Sequence, residues 1–203
     1  MTSVEKAVFN GCNQILLINW NAQAAITAES FDTPAKMGNL LIFAPEGAGC
    51  TYEGNVVING IAEKISLTHG KGFRSPQAFK AKDITYKRNF SMKSGNKINA
   101  AGWEAIVLPF DVQSFSNEKQ GELAPFNSGK KGAKPFWLAQ MTTDGFEHTT
   151  AMKANKPYII SLPNSESYED EFNISGEVQF HAEDADGVEA VSYTHLTLPT
   201  KRI

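Results

Sequence analysis

From Gly38 onward the apolar positions alternate with polar ones, and Gly, Pro or Asn-Gly interrupts each run after a few residues. A period of two predicts strands with one face on a core, because a helix would repeat its apolar stripe every 3.6 residues. "GNLLIFAPEGAG" is apolar through Phe43 and is stopped by Pro45, Gly47 and Gly49. In "NVVINGIAEKISL", Val56 and Ile58 precede Asn59-Gly60, and Ile61, Ile65 and Leu67 follow on alternate positions. Asn-Gly between such runs favours a type I′ turn, so residues 55–68 are expected to form a hairpin. "FKAKDITYKRNFSM" is a more polar strand, expected at a sheet edge.

"GWEAIVLPFDV" is apolar at both parities, Trp103, Ala105 and Val107 against Ile106, Leu108 and Phe110. Burial on both faces predicts a central strand ended by Pro109. "KPFWLAQM" and "NKPYIISLP" supply two more short strands. In "EFNISGEVQFHAED", Phe172, Ile174, Val178 and Phe180 share one face and mostly polar residues the other, with Gly176 as a bulge. "NAQAAITAESFD" lacks an apolar stripe at helical spacing. The expected fold is all-β: an antiparallel β-sandwich-like domain over residues 78–188, preceded by a smaller N-terminal β segment over 1–77. Its expected core comprises Trp103, Ile106, Leu108, Phe110 and Tyr158, then Ile160, Phe172, Ile174, Val178 and Phe180.

Length and charge narrow the picture. The 203 residues suffice for a substantial core, and 41% hydrophobic with 20% charged residues is globular. The net charge of −3 gives no electrostatic reason to expect nucleic acid or anionic membrane as a partner. The longest apolar runs are strand-length, short of the roughly 20 residues of a membrane helix, so membrane insertion is not expected. Cys12 and Cys50 match no metal motif; free thiols are expected ahead of a bridge. Residues 1–20 show no basic stretch leading into a signal-peptide core. That leaves two readings open, a cytoplasmic protein or an internal start within a longer gene.

Candidate chemistry is sparse. Glu104, Asp111, Glu147, Glu169, Asp170 and Glu171 could supply paired carboxylates, yet Glu104 and Asp111 stand at odd spacing and point to opposite faces. His69, His148 and His181 are scattered without metal-ligand spacing, and "EGAGCTYEG" does not open a helix as a phosphate cradle must. Asn89-Phe-Ser91 and Asn173-Ile-Ser175 match the N-glycosylation triplet, which arises often by chance. No catalytic residue, metal ligand or cofactor is expected. Trp137 and Trp20 are the candidates for an aromatic platform under sugar rings, with core packing as the alternative for each.

Two resemblances enter at this point. "GWEAIVLPFDV", followed about fifty residues later by "ANKPYIISLP", resembles a β-rich domain of secreted and surface multidomain proteins from Bacteroides- and Prevotella-type bacteria. That family pairs a W-x-x-[IVL]-x-LPF strand with an A-[NG]-x-PY strand, and the likeness covers residues 38–182. It implies a secreted or cell-surface location and a non-catalytic structural or adhesion module, with a glycan or a host or cell-surface protein as partner. The alternative it allows is an accessory, carbohydrate-binding-like domain of a polysaccharide-degrading enzyme whose catalytic part lies elsewhere.

The second resemblance concerns residues 191–203. "VSYTHLTLPT" is encoded by GTC TCT TAT ACA CAT CTG ACG CTG CCG ACG, which resembles the end of a transposon adapter used in sequencing libraries. These residues are expected to be translated adapter DNA, not native sequence. Setting them aside leaves 17 basic against 22 acidic side chains, a net of −5, and removes His195 from consideration.

Overall fold

A computed structural model describes residues 8–9, 12, 15–31, 38–95 and 102–193, the last four through their backbone. The described chain is all-β, with thirteen strands and a single 3-10 turn at Ala28–Ser30. That turn occupies the Ala-rich stretch without a helical stripe. The Thr27 hydroxyl accepts from Glu29 N, and the Ser30 hydroxyl accepts from Thr27 N. Residues 194–203, including His195, lie outside the described residues.

Hydrogen bonding links the strands into one mixed sheet, rather than the antiparallel sandwich that the alternating pattern suggested. The chain forms two compact units, which divide at Thr85/Tyr86 and again at Ala182/Glu183. Both divisions fall inside long strands, whereas sequence alone suggested a division at 77/78.

The first unit runs to Thr85 and takes back the strand segment from Glu183. It opens with parallel pairing of β1 (Leu17–Asn19), β2 (Leu41–Ala44) and β3 (Asn55–Ile58). Leu17 lies beside Leu41 and Ile26 beside Cys50 at one shared sequence offset, so the chain retraces itself as stacked rungs. The connections 20–40 and 45–54 are long enough to bring the strand back in the same direction. Asn59 and Gly60 then turn the chain with φ of 47° and 80°, the type I′ signature, into β4 (Ile61–Ala62). Two buried asparagines tie down β5 (Ile65–Thr68). Asn55 exchanges hydrogen bonds with Ser66, and Asn39 with Thr68. Ile26, Phe31, Leu40 and Ile42 form one core cluster of this unit.

β6 (Phe73–Asn89) and β13 (Glu177–Tyr193) each contribute one part to either unit. The polar character of β6 suggested an edge; it lies between β4 and β13 instead. Its buried positions run Phe79, Ala81, then Ile84, Tyr86, Arg88, a slip of one residue that exchanges its faces. β13 slips likewise from Ala182 to Ala185, where Asp184 has a φ of 49°.

The second unit, Tyr86–Ala182, contains β7 (Glu104–Ile106), β8 (Ser114–Asn117), β9 (Gly121–Pro125), β10 (Lys134–Thr142), β11 (Gly145–His148) and β12 (Tyr158–Ser161). β7 was expected at the centre, yet it closes the strand order and pairs with β12 alone among the described strands. Within β7 only the Glu104 and Ile106 face is buried, and burial at both parities begins past its end, at Val107 and Leu108; Arg88 Nη1 donates to Ala105 O at 2.8 Å, and Asn155 N donates to Leu108 O. Ile106, Leu108, Phe110, Tyr158, Ile160, Ile174, Val178 and Phe180 are all buried. Trp103 is only half-buried.

Phe172 departs from the expected core, at 42% exposed. Residues 170–172 form a turn held by Phe172 N and Asn173 N donating to Glu169 O, and β13 starts only at Glu177. Gly176, with a φ of 89°, breaks the strand before the apparent alternation can reach back to Phe172. Phe115 takes its place in the core, with ring centroids 5.1 Å from Phe136 and 5.6 Å from Phe180.

Candidate binding site

The register of β10 sets the site. Leu138 lies opposite Ile160, and both are buried with Phe136 on the inner face. Period-two alternation therefore turns Trp137 and Met141 to the other face, where Ala139 between them is covered. β9 runs parallel to the start of β10, with Pro135 beside Ala124, and leads directly into Phe126, which is 55% exposed. The loop after β12 returns past Trp137: Pro163 ends the strand region, Tyr168 N donates to Ser165 O, and the Glu169 turn presents Phe172.

Together these segments enclose an apolar groove of about 240 Å³. Phe126, Trp137, Tyr168 and Phe172 form its walls with Pro135 and Pro163. Trp137 and Tyr168 lie with ring centroids 5.9 Å apart at 55°, a tilted pair that leaves aromatic surface on the groove. A second, polar recess of about 560 Å³ adjoins it, with Phe126 and Trp137 shared between the two. Its other lining comes from Asn127, His148, Thr149 and Thr150. Neither recess is lined by Lys, Arg, Asp or Glu. The surface thus offers flat apolar faces beside amide, hydroxyl and imidazole hydrogen-bonding groups, a combination that suits a ligand with one apolar face and several hydroxyls.

Of the two tryptophans singled out in the sequence, only Trp137 belongs to this site. Trp20 packs half-buried against the Ile26–Ile42 cluster, and its Nε1 donates to Ala24 O at 3.1 Å. Phe126, Tyr168 and Phe172 were not anticipated as its partners. An exposed Phe beside the turn-rich "NSGKKG" was the available signal, but no local pattern brings residues 126, 137 and 168 together.

The carboxylates weighed as an acid/base pair are engaged elsewhere. Glu104 is buried against Arg88, and its Oε1 accepts from Ser91 N at 2.8 Å and Met92 N at 2.9 Å. The Arg88 guanidinium also lies 4.6 Å from the Phe90 ring centroid. Asp111 accepts from Lys153 Nζ and Ala154 N, both at 2.7 Å, and these bonds hold its carboxyl below the usual range. His181 Nδ1 lies 3.4 Å from the Ser114 hydroxyl, and His148 stands in the polar recess. Among the described residues, no three His, Cys, Asp or Glu side chains gather as a metal ion would require. Cys12 and Cys50 are free thiols, and burial pushes that of Cys50 up. No helix among the described residues is long and apolar enough to cross a membrane.

Comparison with protein-family models, with curated proteins and with solved structures finds no match to this chain.

Proposed function

We propose that the chain is a non-catalytic binding module of a secreted or cell-surface bacterial protein, acting in adhesion by holding a glycan at Trp137. The observation that carries this reading is the shared position of Trp137 and Phe126, between a groove walled by aromatic rings and a recess lined by amide, hydroxyl and imidazole groups. A pyranose ring has the matching asymmetry, with C–H bonds on its faces and hydroxyls around its rim. Aromatic walls take the faces, and Asn127, His148, Thr149 and Thr150 provide donors and acceptors for the rim. The use of Glu104 and Asp111 in structural ion pairs supports a binding role over bond cleavage.

The test is a screen of the whole chain against immobilised plant and host glycans, alongside its Trp137→Ala and Trp20→Phe variants. Binding to at least one glycan is expected. It should weaken roughly tenfold or more in Trp137→Ala, as loss of an aromatic contact worth about 1.5 kcal/mol implies. Trp20→Phe should retain it. Silence across the array, or binding indifferent to Trp137, overturns the reading.

A further inference from the structure

Two walls of the groove, Tyr168 and Phe172, come from one loop, residues 163–174. Its ends meet where Ile174 N donates to Pro163 O at 2.8 Å, and Asn173 Nδ2 donates to Ser165 O at 3.2 Å just inside them. Within the loop, Tyr168 N donates to Ser165 O and Phe172 N to Glu169 O. A short surface loop whose ends meet and whose interior is bonded to itself is an Ω-loop, a compact unit. Whatever fixes its base therefore fixes both rings at once.

Asn164 stands at that base. It is 7% exposed, and each of its polar groups goes to residues 92–94, about seventy residues earlier. Asn164 N donates to Ser94 Oγ at 3.1 Å, and its Oδ1 accepts from Ser94 N at 2.9 Å. Its Nδ2 donates to Met92 O, and its carbonyl accepts from Lys93 Nζ. A buried polar side chain with every group satisfied specifies one arrangement of the segments it joins. The partner segment is held from its other side. Glu104 Oε1 accepts from Ser91 N and Met92 N, and Gly102 lies so close that a Cβ there would stand 2.6 Å from the Lys93 carbonyl. The buried Arg88–Glu104 pair thus connects, through residues 91–94 and Asn164, to the aromatic wall of the groove.

We propose that Asn164 is the positioning residue of the groove: clasped to Met92, Lys93 and Ser94, it holds the 163–174 loop so that Tyr168 and Phe172 stand beside Trp137 before any ligand arrives. This rests on the glycan reading above for what the groove holds and adds how its wall is preorganised. A wall already in place saves the ordering that binding would otherwise require.

Fluorine NMR of the whole chain labelled with 5-fluorotryptophan tests the clasp without a ligand, the Trp137 line being assigned by its loss in Trp137→Ala. Asn164→Ala should move that line by most of the displacement that Tyr168→Ala produces, and leave the Trp20 line in place. Added to Tyr168→Ala with Phe172→Ala, it should move the Trp137 line no further. Ser94→Ala, which deletes only the hydroxyl, should act in the same direction and serves if Asn164→Ala does not fold. On the same glycan array, a loop in place one-tenth of the time lowers apparent affinity roughly tenfold, the loss expected for Asn164→Ala. A Trp137 line unmoved in both variants overturns the clasp, as does glycan binding at wild-type strength in Asn164→Ala; Trp137-dependent binding would then leave the glycan reading intact. A shifted line with a silent array upholds the clasp and overturns the glycan reading alone.

Discussion

Arg88 shows how far one side chain can reach in this protein. It donates to Glu104 and to Ala105 O, lies against Phe90, and hydrogen-bonds the hydroxyl of Tyr86. Breaking such a buried pair by removing one partner leaves an uncompensated charge, typically at a cost of about 3–5 kcal/mol. Tyr86 itself is wholly buried, and burial pushes its hydroxyl from an ordinary value near 10 up to about 12, against the opposing pull of Arg88. A pKa raised in the folded state means that the unfolded chain ionises first. The contribution of Tyr86 is thus fully present below pH 10 and declines as pH rises from 10 toward 12. Tyr86→Phe is expected to flatten this alkaline limb by up to about 2 kcal/mol. Urea midpoints measured across that pH window decide it; an unchanged slope would show that Tyr86 does not govern the limb. None of this was legible in "DITYKRNF", where Tyr86 and Arg88 read as ordinary alternate positions of a strand. Their neighbour Glu104 comes from a distant segment.

At the scale of elements, the turns were far easier to read than the pairings. Asn-Gly is a local instruction, since only residues tolerant of positive φ can occupy both central positions of a type I′ turn. The turn formed as expected at Asn59-Gly60, and Asn59 adds its own bonds to Glu46. Parallel pairing of β1, β2 and β3 was not legible, because a strand shows the same alternation whichever direction its neighbour runs. These two features make distinct demands on glycine. A Cβ on Gly60 would meet nothing within 4 Å, so Gly60→Ala carries only the cost of its φ, about 1 kcal/mol. A Cβ on Gly49 would lie 2.4 Å from the carbonyl oxygen of Gln23, and backbone cannot swing aside. Gly49→Ala is expected to cost more than about 3 kcal/mol by forcing the stacked rungs apart. Chemical denaturation of the two variants should separate them clearly; equal losses would contradict the close packing of those rungs.

At the scale of the whole molecule, the long strands carry the chain between its two units twice. Through β13 the first unit recovers Ala185 and Val188, both buried, and Asp184, which pairs with Lys80 at 3.1 Å. A chain ended after Ala182 is therefore expected to lose cooperative folding of the first unit, because apolar side chains would leave a core they complete. A thermal melt of that truncation checks this; a single transition as cooperative as that of the whole chain would contradict it.

Local sequence was enough to place strands along the chain, the type I′ turn at Asn59-Gly60 and most of the buried apolar side chains of the second unit. These are consequences of period-two alternation and of the few residues able to hold positive φ. Which strands run parallel, why β6 is interior and β7 terminal, and why Phe172 is exposed while Phe115 is enclosed all depend on long-range pairing. The same holds for the groove that Trp137, Phe126, Tyr168 and Phe172 line and Trp20 does not. Alternation fixes which face of a strand is apolar, but the neighbour that covers that face comes from elsewhere in the chain. Burial, and with it the site, is a property of that pairing.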